Sequence, residues 1–228
     1  MASINDELVS QQRAAATSLS TILTQQGINH AIIGGFAVNL LGHTRKTLDI
    51  DVEIDNGTRT ISEMRQQVCQ FLSADTRFSF VNNKIFFAPP EFPQISIPIE
   101  TIPLGELGLP RELSVIRPGD GTVPILRPGI LILTKIKRCA HLIMSTRPKS
   151  LQKFASDVDD IEFIMDWLID NGGKVDFDGY RAEDQVKERL FTAVKDLVEY
   201  WKRTGNEDLV QKMASILQDE DLLRYVPS

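Results

Sequence analysis

Residues 48–54, LDIDVEI, alternate between apolar and acidic side chains. Successive side chains on a β-strand point to opposite faces. The pattern therefore predicts a strand with Leu48, Ile50, Val52 and Ile54 in the core and Asp49, Asp51 and Glu53 on the other face. Strand rise puts the Cα atoms of Asp49 and Asp51 about 6.5–7 Å apart. Neighbouring carboxylates repel unless something compensates. Solvent is one compensation, and a hard divalent cation, which prefers carboxylate oxygens, is the other.

The residues ahead of this strand bear on that choice. His30–Ile33 is short and apolar enough to be a strand, and Gly34-Gly35 follows it, opening a short helix over Phe36–Leu41 that Gly42 closes. Glycine lets the backbone approach a ligand closely, and amides at a helix start suit a phosphate. A tight turn is the structural alternative. Arg45-Lys46-Thr47 lies between the glycines and the acids, either as a solvated basic turn or close to a bound phosphate. A nucleoside triphosphate with Mg2+ would bridge the two features.

The pattern beyond is mixed. Residues 5–26 read as a helix, with Asn5 or Asp6 as cap and Gly27 as its end. Thr58–Leu72 reads as a helix with Ile61, Met64, Val68, Phe71 and Leu72 inward. Phe78–Val81 and Lys84–Phe87 flank Asn82-Asn83 and predict a hairpin. Gln94–Ile102 reads as a strand in which Pro98 implies an edge or bulge. Residues 103–128 are rich in Gly and Pro, with strand-like pieces at Leu113–Ile116 and Val123–Leu126. Beyond Pro128, Gly129–Met144, Lys149–Asp170, Arg181–Arg203 and Glu207–Gln218 all read as helices. An α/β half is thus followed by a helical half, divided near residues 120–128.

Composition narrows the function classes. The net charge of −6 over 228 residues argues against a protein that coats nucleic acid, although local basic patches remain open to it. Cys69 and Cys139 are far apart and read as buried thiols in a reducing compartment. The polar N-terminus has no apolar stretch of the secretory kind. No apolar run approaches the ~20 residues needed to span a bilayer. The expectation is a cytoplasmic protein with no membrane partner.

GGFAVNLLGHTRKTLDID, residues 34–51, resembles the signature of the DNA-polymerase-β-like nucleotidyltransferase superfamily: Gly-Gly or Gly-Ser, a short helix, then Asp-x-Asp. The longer form, with G-x-T-R-x-T-x-D-I-D, is similar to the branch of abortive-infection type toxins and minimal nucleotidyltransferases. The resemblance implies an α+β (α/β) fold. A mixed sheet with flanking helices would occupy residues 1–125 and a C-terminal helical bundle residues 126–228. It also implies a third carboxylate on a later strand, for which Glu100 is the candidate where members more often carry Asp. Phe36 stands where many members have Ser. A lysine on the first helix after the sheet, then an Arg and a Lys-x-x-x-Asp-x-x-Asp stretch, correspond in order to Lys135, Arg147, Lys153, Asp157 and Asp160.

Every charged residue from Arg127 to Lys153 is Lys or Arg. Lys135 and Arg138 are i,i+3 neighbours off the apolar stripe. They would either contact β- and γ-phosphates or pair with the acids at 157–170. The resemblance implies that Asp49, Asp51 and Glu100 hold Mg2+, or Mn2+. Gly34, Gly35, Arg45, Thr47, Lys135 and Arg138 would bind the nucleoside triphosphate. Its nucleoside monophosphate would pass to a hydroxyl of a tRNA, a protein or a small molecule. The competing expectation is a repurposed fold that binds a nucleotide or other small ligand, or runs unrelated chemistry in the same cleft. A third is an interaction module built on the aromatic C-terminal helices.

Overall fold

The computed structural model describes residues 4–82, 84–182 and 186–222. The chain forms two compact units. One contains the chain up to Glu106 together with Val115–Leu126, and the other contains Leu107–Ser114 and the chain from Arg127 onward.

The first unit is α+β. Its elements in chain order are α1 (Ile4–Gln25), β1 (His30–Ile33), α2 (Gly34–Leu40), β2 (Ile50–Ile54), α3 (Ile61–Leu72), β3 (Phe78–Val81), β4 (Lys84–Phe87), β5 (Ile97–Pro103), β6 (Val115–Ile116) and β7 (Ile125–Leu126). The strands form one mixed sheet in the order β3-β4-β5-β2-β1-β7-β6. β2 runs parallel to β5 and β1 parallel to β7, while the other pairs are antiparallel. Ala15, Ala16, Leu19 and Leu23 of α1 are fully buried, as are Ile32, Ile50 and Val52 of the central strands. Gly27, at φ +66, turns the chain from α1 toward β1.

Several details depart from the sequence expectation. α1 starts at Ile4, upstream of either proposed cap. α2 begins at Gly34 itself rather than at Phe36. β2 begins at Ile50, so Asp49 stands just outside the strand, and Leu48 is 62% exposed rather than in the core. The reason is the partner strand. β1 pairs Ile33 with Asp51 and then ends, because Gly34 starts a helix. Ile61 is likewise exposed, because α3 starts there, capped by Thr60. The Thr60 hydroxyl accepts from the Glu63 amide at 3.3 Å, and the Glu63 carboxylate accepts from the Thr60 amide at 2.8 Å. β5 is an internal strand despite Pro98; β2 joins it only from Ile99, so the proline sits just before that ladder begins. Asn82 takes φ +50 in the hairpin turn, and Asn83 lies outside the described residues.

The second unit is helical: α4 (Pro128–Leu142), α5 (Pro148–Asp170), α6 (Val186–Thr204), α7 (Glu207–Ile216) and α8 (Asp219–Leu222). Part of the helix expected from Arg181, residues 183–185, lies outside the described residues. Proline opens both α4 and α5, where its missing N–H is no loss. Ile130, Leu131, Ile132, Leu133, Ile136 and Cys139 bury α4 on nearly all sides, which makes it the central helix of this unit. The aromatics serve this core: Trp201 is 1% exposed, and Tyr200 meets Phe154 edge-on at 5.3 Å.

Leu107–Ser114 forms a strap on the helical unit. The Gly108 carbonyl accepts from Lys137 Nζ at 2.6 Å and from the Tyr180 hydroxyl at 2.8 Å. The Arg111 amide donates to the Arg181 carbonyl, and Glu112 pairs with the Arg181 guanidinium at 3.1 Å. Among the described residues, no helix is long and apolar enough to cross a membrane.

Candidate active site

The Gly-Gly segment and the acids meet at one end of β1 and β2. Gly34 has φ +70, in the region that penalises side chains. A Cβ there would run into the Asp51 carboxylate, so glycine is what lets this acid lie directly on the backbone at the start of α2. Gly35 does the same for the neighbouring loop. A Cβ at Gly35 would collide with the Arg45 guanidinium and approach the Thr47 hydroxyl to 3.1 Å.

Asp51 is half-buried on β2 and is the register partner of Glu100 on β5. Adjacent strands lie about 4.8 Å apart, so the two acids stand side by side on one face of the sheet. Glu100 is exposed. Asp49, exposed and just ahead of β2, accepts a hydrogen bond from the Thr47 hydroxyl at 3.3 Å.

The loop carrying Arg45 and Thr47 is pinned from below by two buried amides that sequence reasoning did not select. Gln12 Nε2 donates to the Thr47 carbonyl at 3.0 Å, and Asn39 Nδ2 donates to the Arg45 carbonyl at 3.0 Å. Gln12 is 1% exposed and Asn39 5%. Gln12 did leave a trace: it is the polar member of the stripe Leu8, Gln12, Ala15, Leu19 on α1. Asn39 carried no comparable mark.

Glu53 shares the strand face of Asp51 but is fully buried. Its Oε1 accepts from the Gly105 amide at 3.2 Å, while Oε2 has no hydrogen-bond partner among the described residues. Burial pushes the carboxyl up to about 7, against the opposing pull of the Gly105 amide.

Lys135 and Arg138 lie in the helical unit and are engaged there. Lys135, 1% exposed, donates to Asp160 at 2.7 Å, and Asp160 is itself buried. Burial lowers the affinity of the Lys135 amine for its proton, and Asp160 opposes that effect. Arg138 forks onto the buried Asp157, with Nε to Oδ2 at 2.6 Å. The structure therefore gathers Gly34, Gly35, Arg45, Thr47, Asp49, Asp51 and Glu100 in the sheet unit and sets Lys135 and Arg138 in an α4–α5 ion-pair network.

For a cation, the donor chemistry is suitable: the acids offer hard oxygens, two of them in register on neighbouring strands. Among the described residues, however, no group of three or more His, Cys, Asp or Glu side chains is arranged to hold a metal ion as it stands.

Neither a family model nor a curated protein matches the sequence. Among solved structures, the chain is similar to an antigenic nucleotidyltransferase-like protein from Paracoccidioides brasiliensis. The two are 16% identical, and the match covers 94% of this chain and 97% of that one with a TM-score of 0.66. The fold, a mixed sheet with flanking helices followed by a helical unit, is thus nucleotidyltransferase-like.

Proposed function

We propose that this protein is a nucleotidyltransferase that moves a nucleoside monophosphate from a nucleoside triphosphate to an acceptor hydroxyl. The observation that carries the reading is the Asp51–Glu100 register pair on adjacent parallel strands, with the Asp51 carboxylate lying on Gly34. In the reaction, the acceptor oxygen bonds to the α-phosphorus and the bond from that phosphorus to its bridging oxygen breaks. Pyrophosphate leaves, and the acceptor proton passes to solvent.

Asp49, Asp51 and Glu100 would hold Mg2+ or Mn2+, with Asp49 exchanging its Thr47 hydroxyl bond for the ion. The bound ion supplies charge neutralisation on the phosphates and a lower pKa for the acceptor hydroxyl. The Arg45 guanidinium suits two phosphate oxygens at once. Gln12 and Asn39 keep the backbone of that loop in place. Lys135 and Arg138 enter this reading as structural cations of the helical unit, because their charges face Asp160 and Asp157. The G-x-T-R-x-T-x-D-I-D spacing supports a place near the abortive-infection toxin branch.

The test is incubation with each of the four triphosphates, labelled at the α-phosphate, with Mg2+ and a cell extract, followed by mass spectrometry of products. Expected is one acceptor class, whether tRNA, protein or small molecule, that gains a nucleotide with release of pyrophosphate. Asp51→Asn should abolish the gain while the protein stays folded. Transfer by Asp51→Asn at the wild-type rate would sink the assignment.

One observation favours a second reading, a non-catalytic or repurposed fold that binds a nucleotide or other small ligand: Glu100, one methylene longer, stands where the resembled family more often carries Asp. That reading expects thermal stabilisation by a triphosphate with no pyrophosphate released.

A further inference from the structure

The loop that joins α4 to α5, with the first two turns of α5, presents cations that nothing in the unit neutralises. Arg147, Lys149 and Lys153 are exposed, and their side chains make no ion pair or hydrogen bond among the described residues. Every charged residue from Arg127 to Lys153 is Lys or Arg. The first acids beyond them that face α4, Asp157 and Asp160, are buried and turned to Arg138 and Lys135, so their charge is neutralised inside the unit. α5 also starts without a side-chain cap and without an acid in its first turn, where a carboxylate is favoured. Lys149 in that turn opposes the helix dipole, so the cations stand there against local preference.

Apolar side chains stand among them. Met144 is 85% exposed and Leu151 49%. Helical spacing places Leu151 one turn after Arg147 and Lys153 one turn after Lys149, so basic and apolar groups interleave on the exposed side of the tip. The other side holds Phe154, whose ring meets Tyr200 of α6 at 5.3 Å, and the buried Asp157.

We propose that this tip docks the protein on an anionic lipid surface. Arg147, Lys149 and Lys153 lie against the headgroups, and Met144 and Leu151 enter the boundary with the acyl chains. A basic cluster alone would suit any polyanion. The apolar pair selects a bilayer, in which methionine and leucine gain by leaving water. A single-stranded nucleic acid is held instead by aromatic rings that stack on its bases, and residues 141–153 contain no Phe, Tyr or Trp. Charges are screened beyond about 8 Å at physiological salt, so the net charge of −6 over the whole chain does not cancel the local one. Surface docking needs no spanning helix, and it replaces the expectation of no membrane partner, which rested on the length of apolar runs. Each cation near an anionic leaflet strengthens binding about fivefold, and three together on the order of 100-fold. No residue of the proposed active site takes part, so this surface stands or falls on its own.

The test is co-sedimentation of the full chain, at about 0.15 M salt, with phosphatidylcholine vesicles that contain or lack phosphatidylserine. Expected is binding only where phosphatidylserine is present. Arg147→Gln, Lys149→Gln and Lys153→Gln combined should weaken it on the order of 100-fold. Met144→Ser with Leu151→Ser should weaken it at least about tenfold. All five positions are exposed, so circular dichroism should show the wild-type fold; Lys149→Gln alone, with an expected loss of about fivefold, serves if the triple variant does not fold. No binding by the wild type overturns the proposal, as does equal binding to vesicles without phosphatidylserine or undiminished binding in either folded variant. Release from the vesicles by a single-stranded RNA would make the tip a nucleic-acid surface, and release by ATP with Mg2+ would make it part of a nucleotide site; either result overturns it too.

Discussion

Glu53→Gln isolates the energetic effect of burying an acid in the sheet. Glu53 is fully buried, one oxygen accepts from the Gly105 amide, and the other has no partner among the described residues. Its folded-state pKa is raised from 4.5 to about 7. Below about 4.5 both folded and unfolded chains hold the proton and no penalty arises. Between 4.5 and 7 the unfolded chain ionises while the folded one keeps its proton, so stability falls as pH rises. Above about 7 the penalty is complete. Its size is (7 − 4.5) × 1.36, or about 3 kcal/mol. Glutamine keeps the oxygen that Gly105 uses and places an uncharged amide where the second oxygen was, so it mimics the protonated acid at every pH. Urea titrations of both proteins from pH 4 to pH 9, with EDTA present, read the difference directly. At pH 4 the two should be nearly equal. At pH 8.5 the variant should be more stable by about 3 kcal/mol, or roughly 6–12 °C in Tm. Parallel stability curves across the whole range would refute the claim that this carboxyl is proton-bound in the fold.

Three further outcomes follow from particular contacts. Gly34→Ala should lower Tm by about 2–4 °C, from roughly 1 kcal/mol of backbone strain at φ +70, and should cut transfer activity sharply by displacing the Asp51 carboxylate; calorimetry and the labelled-triphosphate assay read the two effects. Lys135→Met leaves Asp160 buried without its cation and should cost about 3–5 kcal/mol in urea titration. Adding Asp160→Leu should restore most of that loss, and a single-variant cost below about 1 kcal/mol would contradict the buried pairing. Gln12→Leu removes the donor to the Thr47 carbonyl and should cost about 1–2 kcal/mol; its larger effect should be on KM for the triphosphate, measured by initial rates.

The regular elements were legible wherever local period decided them. The acidic strand and the long C-terminal helices follow from alternation or helical spacing, β1 from its short apolar run and the hairpin strands from the Asn-Asn turn between them; their order gives an α/β half followed by a helical half, while the mixed sheet was what the family resemblance implied. The grouping of Gly34, Gly35, Arg45, Thr47, Asp49 and Asp51 was legible because those residues are close in sequence. What could not be read depends on distant partners. Leu48 alternates like a core residue, yet the strand beside it ends at Gly34, so neither Leu48 nor Asp49 is drawn into the sheet. For Lys135 and Arg138 the sequence left two readings open, phosphates or the acids at 157–170, and only the packing of α5 decides between them, bringing Asp160 and Asp157 from 25 and 19 positions away. Pro98 signals an edge, but the location of the β2 ladder, set elsewhere in the chain, makes an internal position acceptable.

The strap at Leu107–Ser114 has a consequence for how the chain is made. It leaves the ribosome before its anchors Lys137, Tyr180 and Arg181 exist, and it separates β5 from β6 and β7, the last strands of the sheet. During synthesis it must wait, undocked, while later helices emerge. Splitting the gene after Leu126 would strand it on the wrong fragment, and a helical piece produced alone would lack the carbonyl that Lys137 and Tyr180 share.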